Sequence, residues 1–492
     1  MCNTGGGSVY KLLPLYILAS IAYAFSKYNP NIINADLYDA DAYLMSIYNV
    51  SFGIPYTIDT TGIYGHYAIF FKFPMTLFGD DIIMISVLIA IVAGISMAAF
   101  CYAIENLIRS NAIKVLVILT VLLEPLYALP YSYYQTSPNR YLFPALIIAL
   151  IVHNTKKINI NKLVTVWIGG VISALGLLWN LESGLATAVA WFIYLSGKEL
   201  QKTHRINRRI AIYFLMIPLE LISAIAIFVI YNIWCGGTPS ISIFFYPFNH
   251  HLEDFALPII WGNYAYLYVI PIFMSMFMWS CSNLKNKNAP VIGAISAVGV
   301  ILFSYYMNRF AMCNAWMIMQ ELALLLGVLI DKSIVLIKQI VKEKACTIYD
   351  GVKSALAVFA VFILTTFSLG NIFSGGMQLA LYQNGTKDVV SLKDWAREVE
   401  SIVPKDTYAI GLGTNALYSL LGWDTGYHIN DLPNIVARQG ALDSLYSDLY
   451  NRKSLFITRE GVDVDTVIAN GGFSVSHEFT FGNKSYYYLT KQ

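Results

Sequence analysis

The segment NADLYDADAYLMSIY, residues 34–48, places three carboxylates, Asp36, Asp39 and Asp41, within six positions of an otherwise apolar chain. Carboxylates this close repel one another and each resists dehydration, which raises the proton affinity of at least one of them. A carboxyl of raised pKa is suited to take a proton from a hydroxyl. Its neighbour can orient a polar substrate, and Asp39 with Asp41 would hold a divalent cation, Mg or Mn, if the chemistry uses one. The same three residues would serve equally as a solvated helix cap with no chemistry.

Further polar candidates recur along the chain. Tyr64, His66 and Lys72 follow in the same segment, and Arg140, Glu182 and Arg309 come later. Arginine suits a phosphate through its planar fork of donors, although Arg140 and Arg309 would also serve as headgroup anchors. Glu124 and Glu182 border apolar runs, where a carboxylate needs a cavity or a partner. His250 and His251 stand beside Glu253 and Asp254, but adjacent histidines point apart on a regular helix or strand, which weakens a metal reading.

The elements that must position these residues are mostly membrane spans. The 492 residues are 57% hydrophobic and 13% charged, with a mean hydropathy of +0.57. That is about half the charge of a soluble domain. Apolar runs near the length of a bilayer crossing lie at about 10–27, 82–104, 113–130, 141–153, 163–180, 184–197, 210–233, 264–281, 289–307, 313–330 and 354–372. With the N-terminus cytoplasmic, the inner segments hold eighteen Lys and Arg and the outer loops before the tail only four, namely Lys27, Lys72, Arg140 and Arg309. This positive-inside bias sets the orientation. The expected fold is a polytopic α-helical membrane protein of about eleven transmembrane helices, residues 1–372. A small C-terminal extracytoplasmic α/β domain follows at 374–492. The polar candidates then gather on the outer face.

The first outer loop, about 28–81, is too long for a connector and contains amphipathic pieces, DAYLMSIY and HYAIFFKFPMTLF, expected to lie along the membrane surface. In the tail, SLKDWAREVESIV reads as a helix capped by Ser391 and ended by Pro404. YAIGLG and SLFIT read as strands, and SVSHEFTFGNKSYYYLT as a terminal hairpin. GLGTNA, after a strand, reads as a strand-to-helix turn. No P-loop, zinc-type Cys/His spacing or Ser-His-Asp set is legible. The basic loops follow membrane orientation, so no nucleic-acid partner is expected.

The stretch DADAYLMSIYNVSFGIPYTIDTTGIYGHYAIFF resembles the first outer loop of GT-C-type glycosyltransferases, relatives of protein mannosyltransferases and lipid A aminoarabinose transferases. Asp39 and Asp41 match the acidic pair, here separated by one Ala, and Tyr43 the aromatic. Gly53-Ile54-Pro55-Tyr56 matches the turn, and Tyr64-Gly65-His66 the last element. The resemblance implies transfer of a sugar from a polyprenyl-phosphate-linked donor to a glycan, lipid or protein acceptor at the outer face of a bacterial cytoplasmic membrane. Nucleotide sugars stay in the cytoplasm, so an outward-facing transferase needs a lipid-linked donor. Asp41 or Asp39 would be the general base, with Asp36 beside them. Arg140, Arg309, His66 and Lys72 would meet the phosphate, and Glu182 and Tyr64 the sugars. The competing readings are a transporter or flippase and another polysaccharide-assembly protein such as a polymerase or ligase. Transporters favour repeated, broken helices with polar groups at the midplane, and no repeat is visible here.

Overall fold

The computed structural model describes residues 9–30, 38–122, 134–156, 162–253, 269–308, 316–343, 358, 389–429, 441–459, 462–482 and 484–492. The helical part begins with α1 (Val9–Lys27), α2 (Tyr38–Ser51), α3 (Ile69–Phe78), α4 (Ile82–Leu107), α5 (Asn111–Leu122) and α6 (Leu142–Lys156). It continues with α7 (Lys162–Trp179), α8 (Leu181–Thr203), α9 (Arg208–Trp234) and α10 (Ile241–Glu253). α11 (Val269–Ser282), α12 (Ala289–Asn308) and α13 (Met319–Glu343) complete it. Over the described residues, each apolar run up to residue 330 falls on one of these helices. The last run, 354–372, lies outside the described residues but for Val358, and so does the boundary at 372–374.

By length and composition, α4 and α9 are long and apolar enough to cross a membrane, while α1, α3, α5, α6, α7, α11 and α12 are apolar but shorter over their described residues. The 26 residues of α4 rise about 39 Å, enough for a hydrocarbon core of about 30 Å. Large apolar side chains point outward on α7 (Trp167, Val171) and α9 (Phe214, Leu215, Leu219, Ile222). Such faces are stable against lipid rather than water. Inside, α8 is the central helix, packed by α6, α7, α9 and α12.

The tail contains α14 (Val389–Ile402), β1 (Tyr408–Ile410), α15 (Thr414–Leu421), α16 (Ala441–Tyr450), β2 (Ser454–Thr458), α17 (Val464–Gly471), β3 (Phe473–Phe481) and β4 (Lys484–Lys491). Its sheet has the order β1-β2-β4-β3. β1 runs parallel to β2, and the hairpin β3–β4 is antiparallel. The expected strands and hairpin are where the sequence puts them. Ser391, however, lies inside α14 rather than capping it, while Pro404 follows the helix end as expected.

The tail and the helical part share a core. Trp395, Tyr418, Phe456 and Tyr486 belong to the same buried cluster as Tyr43, Tyr64, Tyr67 and Phe228. The consequence is largest for α2. A surface-lying helix would keep one face wet, yet residues 41–50 are all buried, because α15 packs onto α2 and α4 from the tail side. α3 does keep the expected two faces, with Phe71 and Met75 inward and Phe73, Leu77 and Phe78 exposed.

Candidate functional site

Asp41 sits in the first turns of α2 with only 9% of its surface exposed. Its Oδ1 accepts the backbone N–H of Gly413 at 3.2 Å. Gly413 ends the turn between β1 and α15 at a φ of 84°, where a side chain would be strained. Its N–H stands at a helix start, where amides lack intrahelical partners and the helix field favours negative charge. Burial pushes the Asp41 carboxyl up to about 6, against the opposing pull of the Gly413 N–H and the Lys484 ammonium of β4. Desolvation therefore wins, and the carboxyl is poised to gain or lose a proton near neutral pH.

The tail grips the same face of α2 one and two turns further on. Asn415 Nδ2 lies 3.0 Å from Met45 Sδ, and Asn49 Nδ2 donates to His428 O at 2.9 Å. Residues 41, 45 and 49 follow a spacing of four and share one helix face. Asp36 and the side chain of Asp39 lie outside the described residues.

Another face of α2 carries Tyr43, whose ring stacks on Tyr67 at 4.0 Å and lies 6.4 Å from Tyr64 and 5.5 Å from Tyr134. The Tyr43 hydroxyl, the Gln135 amide, the Thr136 hydroxyl and Asn139 Oδ1 are buried with no hydrogen-bond partner among the described residues. Buried polar atoms of this kind are costly unless something polar meets them. Aromatic rings beside unmet donors and acceptors are the groups a polyol needs, since its C–H face packs on aromatics while its hydroxyls bond polar atoms.

Tyr64 fastens this aromatic wall to the next helices. Its carbonyl accepts from Asn139 Nδ2 at 2.9 Å and Asn180 Nδ2 at 3.1 Å, and Trp179 Nε1 donates to Asn139 O at 2.8 Å. Gly65 makes the approach possible: at its φ of 104°, a Cβ would lie 2.5 Å from Trp179 O. Beyond Asn139, the fully buried Arg140 donates through Nε and Nη2 to Glu182 Oε2 at 3.0 and 2.8 Å. Glu182 lies in the first turn of α8, which Asn180 caps.

His66 and Lys72 are placed differently. The buried His66 ring lies against Phe228, Phe244 and Tyr56, and burial lowers its pKa to about 4. Its Nε2 is 3.0 Å from Phe244 O, so the neutral imidazole donates there and leaves Nδ1 as an acceptor. Lys72 Nζ donates to Ser51 O at 2.8 Å, closing the C-terminal end of α2. Ser51 is ten residues from Asp41, about 15 Å along the helix axis.

The chain shares its fold with ArnT. The structure of ArnT from Cupriavidus metallidurans bound to undecaprenyl phosphate matches with a TM-score of 0.55 at 10% identity, covering 97% of each chain. The apo state of the same ArnT matches with a TM-score of 0.53 at 11% identity, covering 98% of each. No protein-family model and no curated protein matches this sequence. The ArnT fold is the one implied by the GT-C resemblance of the first outer loop.

The structure links Tyr43, Tyr64, Arg140 and Glu182 through ring contacts and the bonds of Asn139 and Asn180, with Asp41 on another face of α2 and His66 and Lys72 on the same loop. Glu124, Arg309 and Asp254 lie outside the described residues, as do the side chains of His250, His251 and Glu253. Among the described residues no group of three metal-ligating side chains assembles. The groups seen to act on Asp41 are an amide N–H and an ammonium, and Asp39, the other residue expected at a divalent cation, has its side chain outside the described residues. Gly413 and Lys484 escaped the sequence reading. The signal that could have found them is the 41/45/49 face, which carries Asp and Asn on a helix too apolar to leave them in water.

Proposed function

We propose that this protein is a GT-C-type membrane glycosyltransferase. It moves a sugar from a polyprenyl-phosphate-linked donor to a glycan or lipid acceptor at the outer face of a bacterial cytoplasmic membrane. About eleven transmembrane helices, the N-terminus inside and the tail outside complete the reading. The observation that carries it is the buried Asp41 carboxyl, held by the Gly413 N–H on the same helix that presents Tyr43 to the tyrosine cluster. The fold shared with an undecaprenyl-phosphate-bound ArnT supports the lipid-linked donor.

In this reading Asp41 takes the proton of the acceptor hydroxyl as that oxygen bonds to the anomeric carbon. The bond from that carbon to the phosphate oxygen breaks, and polyprenyl phosphate leaves with the electron pair and one more negative charge. That charge needs a cation rather than a proton. Lys484, whose charge acts on Asp41, would supply it. Glu182, 15% exposed beside the buried Arg140, would bind an acceptor hydroxyl. Asp39 would orient the acceptor.

The test uses membranes containing wild type, Asp41→Asn, Asp39→Asn and Glu182→Gln at matched expression, given radiolabelled polyprenyl-phosphate sugars and envelope glycan. Asp41→Asn is expected to reduce transfer by about a hundredfold or more while donor binding persists. Equal behaviour of all four proteins across a broad donor panel would sink the reading and bring the transporter forward.

A further inference from the structure

At the C-terminal end of α4 lies a second polar site that the transferase reading does not use. A cavity of about 370 Å³ opens between the ends of α4, α5, α6 and α12, lined by Glu105, Arg109, Lys114, Thr155, Lys287 and Asn288 among others. Three cations thus face one carboxylate. Lys114 is only 3% exposed, and its Nζ lies 2.6 Å from Glu105 Oε2. That same Glu105 oxygen also accepts from the Tyr16 hydroxyl of α1. A further carboxylate, Asp331, accepts the Ser110 N–H at 2.9 Å. Its chain neighbour Lys332 lies over the Trp279 ring and close enough to Arg109 to feel its charge.

The helix ends add to this excess. Lys114 lies in the first turn of α5, and Lys287 with Asn288 immediately precedes the 20-residue α12. A cation is unfavourable at a helix N-terminus, because the unsatisfied amides already present positive charge. Two such ends, a buried lysine and two further cations therefore converge on one cavity with a single lining carboxylate to offset them. This arrangement is costly in isolation and favourable around an anion. Basic pockets between the ends of membrane helices take phosphate headgroups for this reason.

We propose that this cavity is a phosphate-binding site, remote from Asp41, that takes a terminal phosphate group. The source is either a lipid headgroup or free phosphate. Arg109 and Lys287 are exposed and supply charge at the mouth, while Lys114 supplies it from the floor. The site does not depend on the transferase reading, and its test reads binding rather than transfer.

The test uses the full-length protein in a neutral maltoside detergent. Native mass spectrometry would compare retention of phosphatidic acid with that of phosphatidylcholine, and equilibrium dialysis would measure labelled inorganic phosphate. The double variant Arg109→Gln/Lys287→Gln changes two exposed residues, and its unfolding temperature reports whether the fold is kept. Phosphatidic acid is expected to be retained over phosphatidylcholine, and the double variant to weaken it by about tenfold or more. Retention of lipid that millimolar phosphate does not displace would identify the headgroup as the source. Dialysis binding of phosphate that competes with the lipid would identify free phosphate. Equal retention of the two lipids without phosphate binding, or an unchanged affinity in the folded double variant, would overturn the proposal.

Discussion

The backbone N–H of Gly413 reaches Oδ1 of Asp41 across 3.2 Å, although 372 residues of chain separate them. The tail is thus a wall of the site. It removes water from the carboxyl while returning one donor and one nearby ammonium, and the balance leaves the group near neutrality rather than in the ordinary carboxylate range.

Stability should pay for that arrangement in a pH-dependent way. The Asp41 carboxyl sits at about 6 against an ordinary 3.8. The folded chain therefore binds this proton more tightly than the unfolded chain, and stability falls as pH rises through that window. The stabilisation is full below 3.8 and lost once pH passes about 6. Two pKa units correspond to roughly 3 kcal/mol. Asp41→Asn keeps an oxygen for the Gly413 N–H and removes the charge. It is expected to raise the unfolding temperature at pH 8 by several degrees, with the gap closing toward pH 4. Identical melting at pH 8 would show that ionising this group costs nothing.

Lys484 pulls the Asp41 pKa down, against burial. Replacing it by methionine should let the pKa climb, so the acidic limb of the transfer–pH profile should move to higher pH. An unmoved limb would remove Lys484 from the site.

Gly65 and Gly53 offer a matched pair. Both have positive φ, at 104° and 73°, but a Cβ on Gly65 would lie 2.5 Å from Trp179 O, whereas a Cβ on Gly53 would meet nothing within 4 Å. Gly53→Ala should cost only backbone strain, about 1 kcal/mol. Gly65→Ala must also part the Tyr64 loop from α8, so a cost of about 3 kcal/mol or more is expected, together with loss of transfer. Equal unfolding temperatures for the two variants would contradict the close approach.

What could be read in advance follows the range of the interactions. The membrane helices are written in long apolar runs, and the tail strands in β-branched and aromatic stretches bounded by Gly and Pro. Both signals are local. Asp41, Tyr43, Tyr64 and Gly65 were legible for a similar reason, since they lie in one 33-residue stretch with a recognisable order. The contact with Gly413 has no local signature. GLGTNA reads as a turn and is one, but nothing in a turn says which surface it docks on. The burial of α2 on all sides was missed on the same account, because its covering helix α15 arrives from the other end of the chain. The Arg140–Glu182 pairing was also out of reach, since both residues looked like independent ligands for substrate.

That pair gives the last prediction. Arg140 is fully buried, and two of its nitrogens donate to one oxygen of Glu182. Removing either partner leaves the other charge in a low-dielectric interior, which typically costs about 3–5 kcal/mol. Arg140→Met and Glu182→Leu alone should therefore each lower the unfolding temperature sharply. The double variant should recover much of the loss, because a well-packed apolar pair avoids the desolvation penalty altogether. Transfer assays on the double variant then separate two roles. If stability and transfer return together, the pair is a fastening between the segment 134–141 and α8. If stability returns and transfer does not, with the acceptor KM raised and donor binding intact, the carboxylate of Glu182 handles the acceptor. A double variant less stable than either single one would mean that the two residues are not partners in the folded protein.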